Sequence, residues 1–154
     1  KVKSLAAYAA TQTTRTAIVG GDDDAWAADL GANVNVAGFG LTGYYYTGEG
    51  VGTTFLGSLG TTATGAKRDS DGGYVQATYA LPTQTKLGVS FGRSNSKSPT
   101  QAFDFENQSY VVGAYHPLTK HLNLVAEYNH LDLEGATGTN GKSKTASLGA
   151  ILFF

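Results

Sequence analysis

Cysteine and methionine are both missing from this sequence. Without cysteine there is no disulfide framework and no thiolate metal site. No apolar run approaches the roughly eighteen residues of a membrane-spanning helix, so no helical anchor is expected. That test is blind to membrane strands, which cross with alternating side chains. Charge of one sign is also missing: 11 Lys and Arg stand against 12 Asp and Glu, a net charge of -1. The basic footprint of a nucleic-acid binder is therefore absent, and no nucleic-acid partner is expected. The sequence opens with neither a signal-peptide pattern nor an initiating methionine, which reads as a processed form or a piece of a longer chain.

What is abundant is glycine, at 21 residues, and tyrosine, at nine. The most informative stretch is the last, KSKTASLGAILFF. Ala146, Leu148, Ala150, Leu152 and Phe154 share one face of an extended strand, with Thr145, Ser147 and Gly149 on the other. An exposed terminus of a soluble domain is usually polar and frayed. A strand lying against lipid, with its aromatic end in an interfacial girdle, explains this one.

The same period of two recurs along the chain. Trp26, Ala28, Leu30, Ala32, Val34 and Val36 alternate with Asp29, Gly31, Asn33 and Asn35, which a helix would not require. Further strands are expected at residues 3–14, 39–47, 74–81, 85–93, 108–116, 121–133 and 142–154. The facing of 108–116 is ambiguous, because Val111, Gly113 and Tyr115 oppose Val112 and Ala114. Short connections fall at 37–38, 82–84 and 117–120. Longer polar ones fall at 14–24, 48–73, 94–107 and 134–141. This sorting of short turns to one end and long loops to the other is a feature of transmembrane barrels. The expected fold is all-β: one domain over 1–154, an antiparallel up-and-down transmembrane barrel with about eight strands in this chain.

Several stretches carry a family resemblance. GLTGYYYTGEGVGTTFLG, DSDGGYVQATYALPTQTKLGVSFG, YVVGAYHPLTKHLNLVAEYNH and ASLGAILFF resemble the C-terminal half of Gram-negative trimeric porins. The resemblance covers most of the chain from about Trp26 onward. It implies a sixteen-stranded barrel in the outer membrane, a homotrimer, and passive passage of small hydrophilic solutes and ions. It also implies that the terminal aromatic strand, through Leu148, Ala150, Leu152 and Phe154, is read as a signal by the barrel-assembly machinery. This chain departs from the family in having about half the strands. The inward-folded constriction loop of such porins belongs to their N-terminal half.

An open eight-stranded sheet in lipid would leave two unpaired edges, each orphaned backbone group costing several kcal/mol. Either these strands close on themselves or further strands complete them. A closed eight-stranded barrel has an interior just filled by side chains. The expected inward positions are small or polar and suit a water-filled lumen. The pore-lining candidates are Asp29, Asn33, Asn35, Gln76, Thr78, Lys86, Ser90, Asn123 and Glu127. The alternative is a small closed barrel with a structural or adhesive role.

Aromatic residues near strand ends are expected in the girdle: Trp26, Tyr79, Tyr115, Tyr128 and Phe154, with Tyr44, Tyr45, Tyr46 and Phe153 beside them. Outer-membrane lipid and lipopolysaccharide are the expected surroundings. Asp22, Asp23, Asp24, Asp69 and Asp71 lie in two expected loops on one side. They offer oxygen ligands for divalent cations, although a solvated loop surface accounts for them as well. His116, His121 and His130 lack the spacing of a metal site. GEGVG lacks the strand-to-helix context of a dinucleotide fold, and nothing sets a nucleophile beside a base. No cofactor, metal or catalytic residue is expected, and the protein does not read as an enzyme.

Overall fold

The computed structural model describes residues 2–18, 21–52, 60–62, 65–99, 104–135 and 140–154. Eight strands follow one another: β1 (Val2–Ile18), β2 (Gly21–Val36), β3 (Phe39–Glu49), β4 (Asp69–Ala80), β5 (Lys86–Lys97), β6 (Phe105–Pro117), β7 (Leu122–Glu134) and β8 (Gly141–Leu152). Each pairs antiparallel with its sequence neighbours, giving a single sheet in the order β1 to β8. Among the described residues β1 and β8 each pair with one neighbour, so the sheet is an open, partial barrel wall.

The turns explain themselves locally. Ala37 and Gly38 both have positive φ, at 48° and 89°, as the tight hairpin turn between right-twisted strands requires. The glycine accommodates this freely; the alanine does so at a cost. Pro82 opens the β4–β5 turn, which closes with Leu81 N–H donating to the Thr85 carbonyl at 2.8 Å. The β6–β7 turn closes similarly, with Leu118 N–H donating to the Leu122 carbonyl at 2.8 Å.

One expected loop is corrected. Residues 14–18 and 21–24 of that stretch, rich in threonine and aspartate, are paired backbone rather than a polar connection. The β1–β2 ladder runs on through Thr14↔Ala25 and Thr16↔Asp23 to Ile18↔Gly21. Polar composition marks water, not the end of a ladder, and threonine fits a pleated strand well. The long connections at that end of the sheet are therefore 50–68, 98–104 and 135–140.

The first of these is tied down. Gly50 N–H donates to the Arg68 carbonyl, and Arg68 N–H to the Gly60 carbonyl, both at 2.9 Å. The Arg68 guanidinium lies 5.1 Å from the centre of the Phe105 ring on β6, a cation–π distance. Phe105 pairs with Ser96, and Ser96 is fully buried.

Candidate pore-lining face

Directly paired residues of neighbouring strands share a face, so the registers sort every side chain. One row reads Asn33, Thr42, Gln76, Ser90, Val111, Asn129 and Thr145. The next reads Asn35, Gly40, Thr78, Gly88, Gly113, Glu127 and Ser147. Asp29 lies two residues from Gly31 in the same parity, opposite Tyr46. Lys86 pairs with Tyr115, and Asn123 with Pro117. All nine pore-lining candidates thus fall on one face.

That face is knit by short polar contacts. Asn33 Nδ2 donates to Thr42 Oγ1 at 2.7 Å, and Asn35 Nδ2 donates to Asn33 Oδ1. Ser109 Oγ donates to Asn129 Oδ1 at 3.1 Å. Near the short-turn end, Gln76, Thr78, Lys86 and Asn123 share a shallow concavity of about 430 Å³ with Gln84, Tyr115 and Pro117. The structure brings these four candidates together. Asp29, two rows above Asn33, stands toward the opposite end.

The other face is apolar and ends in aromatic rings. Reading up each strand, the last apolar residue before the charged rim is Tyr45 on β3, Phe91 on β5, Tyr110 on β6 and Tyr128 on β7. The next positions on the same face include Arg93, Gln108, His130 and Asp132. Tyr45, Tyr110 and Tyr128 are each exposed, as is Trp26 on β2. Phe91 and Tyr110 touch, with ring centroids 4.8 Å apart. At the short-turn end, Phe39 and Tyr79 lie 4.3 Å apart by centroid on the same face. Above β3 the apolar limit stands higher on the sheet than above β7 and β8. A row perpendicular to tilted strands climbs relative to a bilayer, so a level membrane boundary cuts the rows obliquely.

Beyond that limit the same face carries ion pairs. Arg93 pairs with Glu106 at 2.5 Å, Lys97 with Asp71 at 3.3 Å, and Lys142 with Asp132 at 3.3 Å. His130 Nε2 lies 3.1 Å from Asp132. Hydrogen bonds from Gln108 and Arg93 hold the Glu106 carboxyl below its usual range. These charges sit where headgroups and water, not hydrocarbon, would meet them.

Tyr115, a girdle candidate by sequence, stands on the polar face and is hydrogen-bonded to Glu127. Tyr44 and Tyr46 also lie on the polar face, in register with Tyr74 and Gly72. Their neighbour Tyr45 alone takes the apolar face, because successive residues of a strand face opposite ways. Phe91, Tyr110 and Phe39 lie at the limits of that apolar face, where aromatic content near the strand ends did not single them out. The signal that finds them is parity plus the charge that follows.

His116 bonds Thr85, His121 bonds the Phe153 carbonyl, and His130 bonds Asp132. The three are not brought together. Among the described residues no group of three metal-ligating side chains occurs. The acidic stretch Asp22–Asp24 lies along β2 rather than in a loop.

The family model for Gram-negative porins matches residues 2–136 of the chain. The chain belongs to the Gram-negative porin family. Comparisons with curated proteins and with solved structures each found no significant match. Membership accounts for what the sheet has: one polar face, one apolar face, and aromatic rings at the limits. The role of this porin is that of an outer-membrane channel family, not of an enzyme family. No helix of the described residues is long and apolar enough to cross a membrane, and β-strands do not need one.

Proposed function

We propose that this porin forms part of the wall of a water-filled channel that passes small hydrophilic solutes and ions passively across the outer membrane. The observation that carries this reading is the sorting of Asp29, Asn33, Asn35, Gln76, Thr78, Lys86, Ser90, Asn123 and Glu127 onto one face, opposite an apolar face bounded by aromatic rings. The mechanism needs no covalent step. Water fills the lumen, and Asp29, Lys86 and Glu127 bias passing ions through their local fields.

Further strands pair with the free edges of β1 and β8, so that these eight strands are half of a sixteen-stranded barrel. An unpaired strand edge in hydrocarbon is too costly to persist. The small side chains of the polar face leave open space rather than the interlocked filling of an eight-stranded interior. The completed barrel assembles as a homotrimer. Lipopolysaccharide and lipid surround its apolar face, and the barrel-assembly machinery inserts it through Leu148, Ala150, Leu152 and Phe154.

Single-channel recording of the intact protein in planar bilayers tests the reading. Stepwise conductance that scales with salt is expected, and a folded protein without conductance overturns it. The intact mass of the native protein separates the half-barrel from a small closed barrel with a structural or adhesive role. A mass near twice the 16.0 kDa of this chain favours the porin of sixteen strands, and a mass near 16.0 kDa the small barrel.

A further inference from the structure

Three tyrosines on the polar face form a surface that a simple aqueous wall does not need. Tyr44 and Tyr74 are direct cross-strand partners. Their ring centroids lie 5.7 Å apart, with planes inclined by 33°. Tyr44 and Tyr46 are 6.2 Å apart at the same inclination. All three rings stand on the same face of the sheet.

Tyr46 is laid flat. Its hydroxyl is 2.7 Å from Ser94 Oγ, two strands away. Gly72 lies beneath the ring, and a Cβ there would stand 2.6 Å from Tyr46 Cε1. One ring face therefore rests on the β4 backbone while the other looks into the channel space. Directly opposite Tyr46 on β2 is Asp29. Its Oδ1 is buried and has no hydrogen-bond partner among the described residues.

Filling the space above a glycine is one use of a cross-strand tyrosine, and it accounts for Tyr46 over Gly72. It leaves unexplained why Tyr74, beside it, keeps 43% of its surface exposed.

We propose that Tyr44, Tyr46 and Tyr74 are a stacking platform for saccharide rings in transit. This rests on the channel reading of the polar face. A pyranose offers an apolar C–H face that lies on the electron-rich face of an aromatic ring. An organic cation is better served by rings that surround it, whereas these three stand on one sheet face. Binding at such a site is weak, because a solute held tightly would not leave the channel.

The test is the intact protein in planar bilayers, with sucrose titrated through the millimolar range and mannitol and choline as comparison solutes. Sucrose is expected to lower the conductance saturably, beyond the viscosity effect that mannitol shares. Tyr74→Ala is expected to weaken that block by about tenfold, while Tyr74→Phe keeps it. Equal effects of sucrose and mannitol, an unchanged block in Tyr74→Ala, or a saturable block by choline alone would each overturn the proposal. Absence of any conductance falls on the channel reading instead. The platform is then decided by calorimetric titration of the refolded protein in detergent. Saturable sucrose heat that Tyr74→Ala removes supports it, and no such heat in the unaltered protein overturns it.

Discussion

Tyr115 donates its hydroxyl proton to the carboxylate of Glu127, one strand over on the polar face. The pair holds an anionic group against the wall near the short-turn end, above the concavity that also contains Lys86. A single charge at about 10 Å in water attracts one ion and repels its counterion with about 0.4 kcal/mol each, about twofold for either ion and about fourfold in their ratio. Glu127→Gln is therefore expected to lower the cation-to-anion permeability ratio by about fourfold, and Lys86→Gln to raise it by a similar factor. Reversal potentials in a potassium chloride gradient measure both. Two shifts of the same sign would contradict the placement of these charges on the conducting face.

The two faces of β8 predict opposite tolerance to charge. Leu148 pairs with Ala126 on the apolar face, and Ser147 pairs with Glu127 on the polar one. Leu148 is 89% exposed, which in a membrane means exposed to lipid. Leu148→Arg is expected to destabilise the protein in phospholipid vesicles by about 2 kcal/mol. Ser147→Arg is expected to stay within about 0.5 kcal/mol. Urea unfolding in vesicles reads both, and equal costs would erase the distinction between the faces.

Glycines on the sheet are not interchangeable. A Cβ at Gly73 would stand 2.3 Å from the Tyr44 carbonyl oxygen, which belongs to the neighbouring backbone and cannot yield alone. A Cβ at Gly43 would meet nothing within 4 Å. Gly73→Ala is expected to cost about 1–3 kcal/mol by forcing β3 and β4 apart. Gly43→Ala is expected to be neutral, or to stabilise by about 0.4–1 kcal/mol by reducing the freedom of the unfolded chain. The same unfolding measurement ranks them, and a Gly73→Ala variant as stable as Gly43→Ala would refute the close approach.

Much of this molecule was legible from parity alone. Asn33, Gln76, Ser90 and Glu127 reach one face because they alternate with apolar residues, and a period of two needs no tertiary information. The aromatic rings were harder. Tyr44, Tyr45 and Tyr46 are consecutive, so composition assigns them together while the pleat must separate them. Tyr115 sits in a strand whose two faces are both largely apolar, Val111 and Gly113 against Val112 and Ala114, and its own register decides only once β5 is paired with β6. Residues 14–18 and 21–24 misled for another reason: polar residue types suit a solvated strand as well as a loop, so composition does not mark where the ladder ends.

The Ala37–Gly38 turn stores a correctable strain. Ala37 holds φ at 48°, a region in which its Cβ crowds the following carbonyl. Asparagine adopts that region more readily and is preferred before glycine in two-residue hairpins. Ala37→Asn is expected to stabilise by about 0.5–1 kcal/mol, seen as a higher urea midpoint with unchanged slope. A lower midpoint would mean that the alanine methyl makes contacts worth more than the strain.

The terminal strand separates stability from assembly. Phe153 N–H donates to the His121 carbonyl at 2.8 Å, so the β7–β8 ladder stays closed one residue past Leu152. Phe154 adds no ladder bond there, and its side chain is fully exposed. What its ring contributes to the folded sheet is interfacial contact alone, about 1 kcal/mol or less. If the aromatic is instead read during insertion, its loss acts on yield. Phe154→Ala is therefore expected to reduce the folded fraction in cells several-fold while refolding into detergent and urea stability stay within about 1 kcal/mol of the parent. Asn140→Ala, in the β7–β8 connection, should change neither. The heat-modifiable band on a denaturing gel counts folded protein in the first case, and equal yields for the two variants would remove Phe154 from the assembly step.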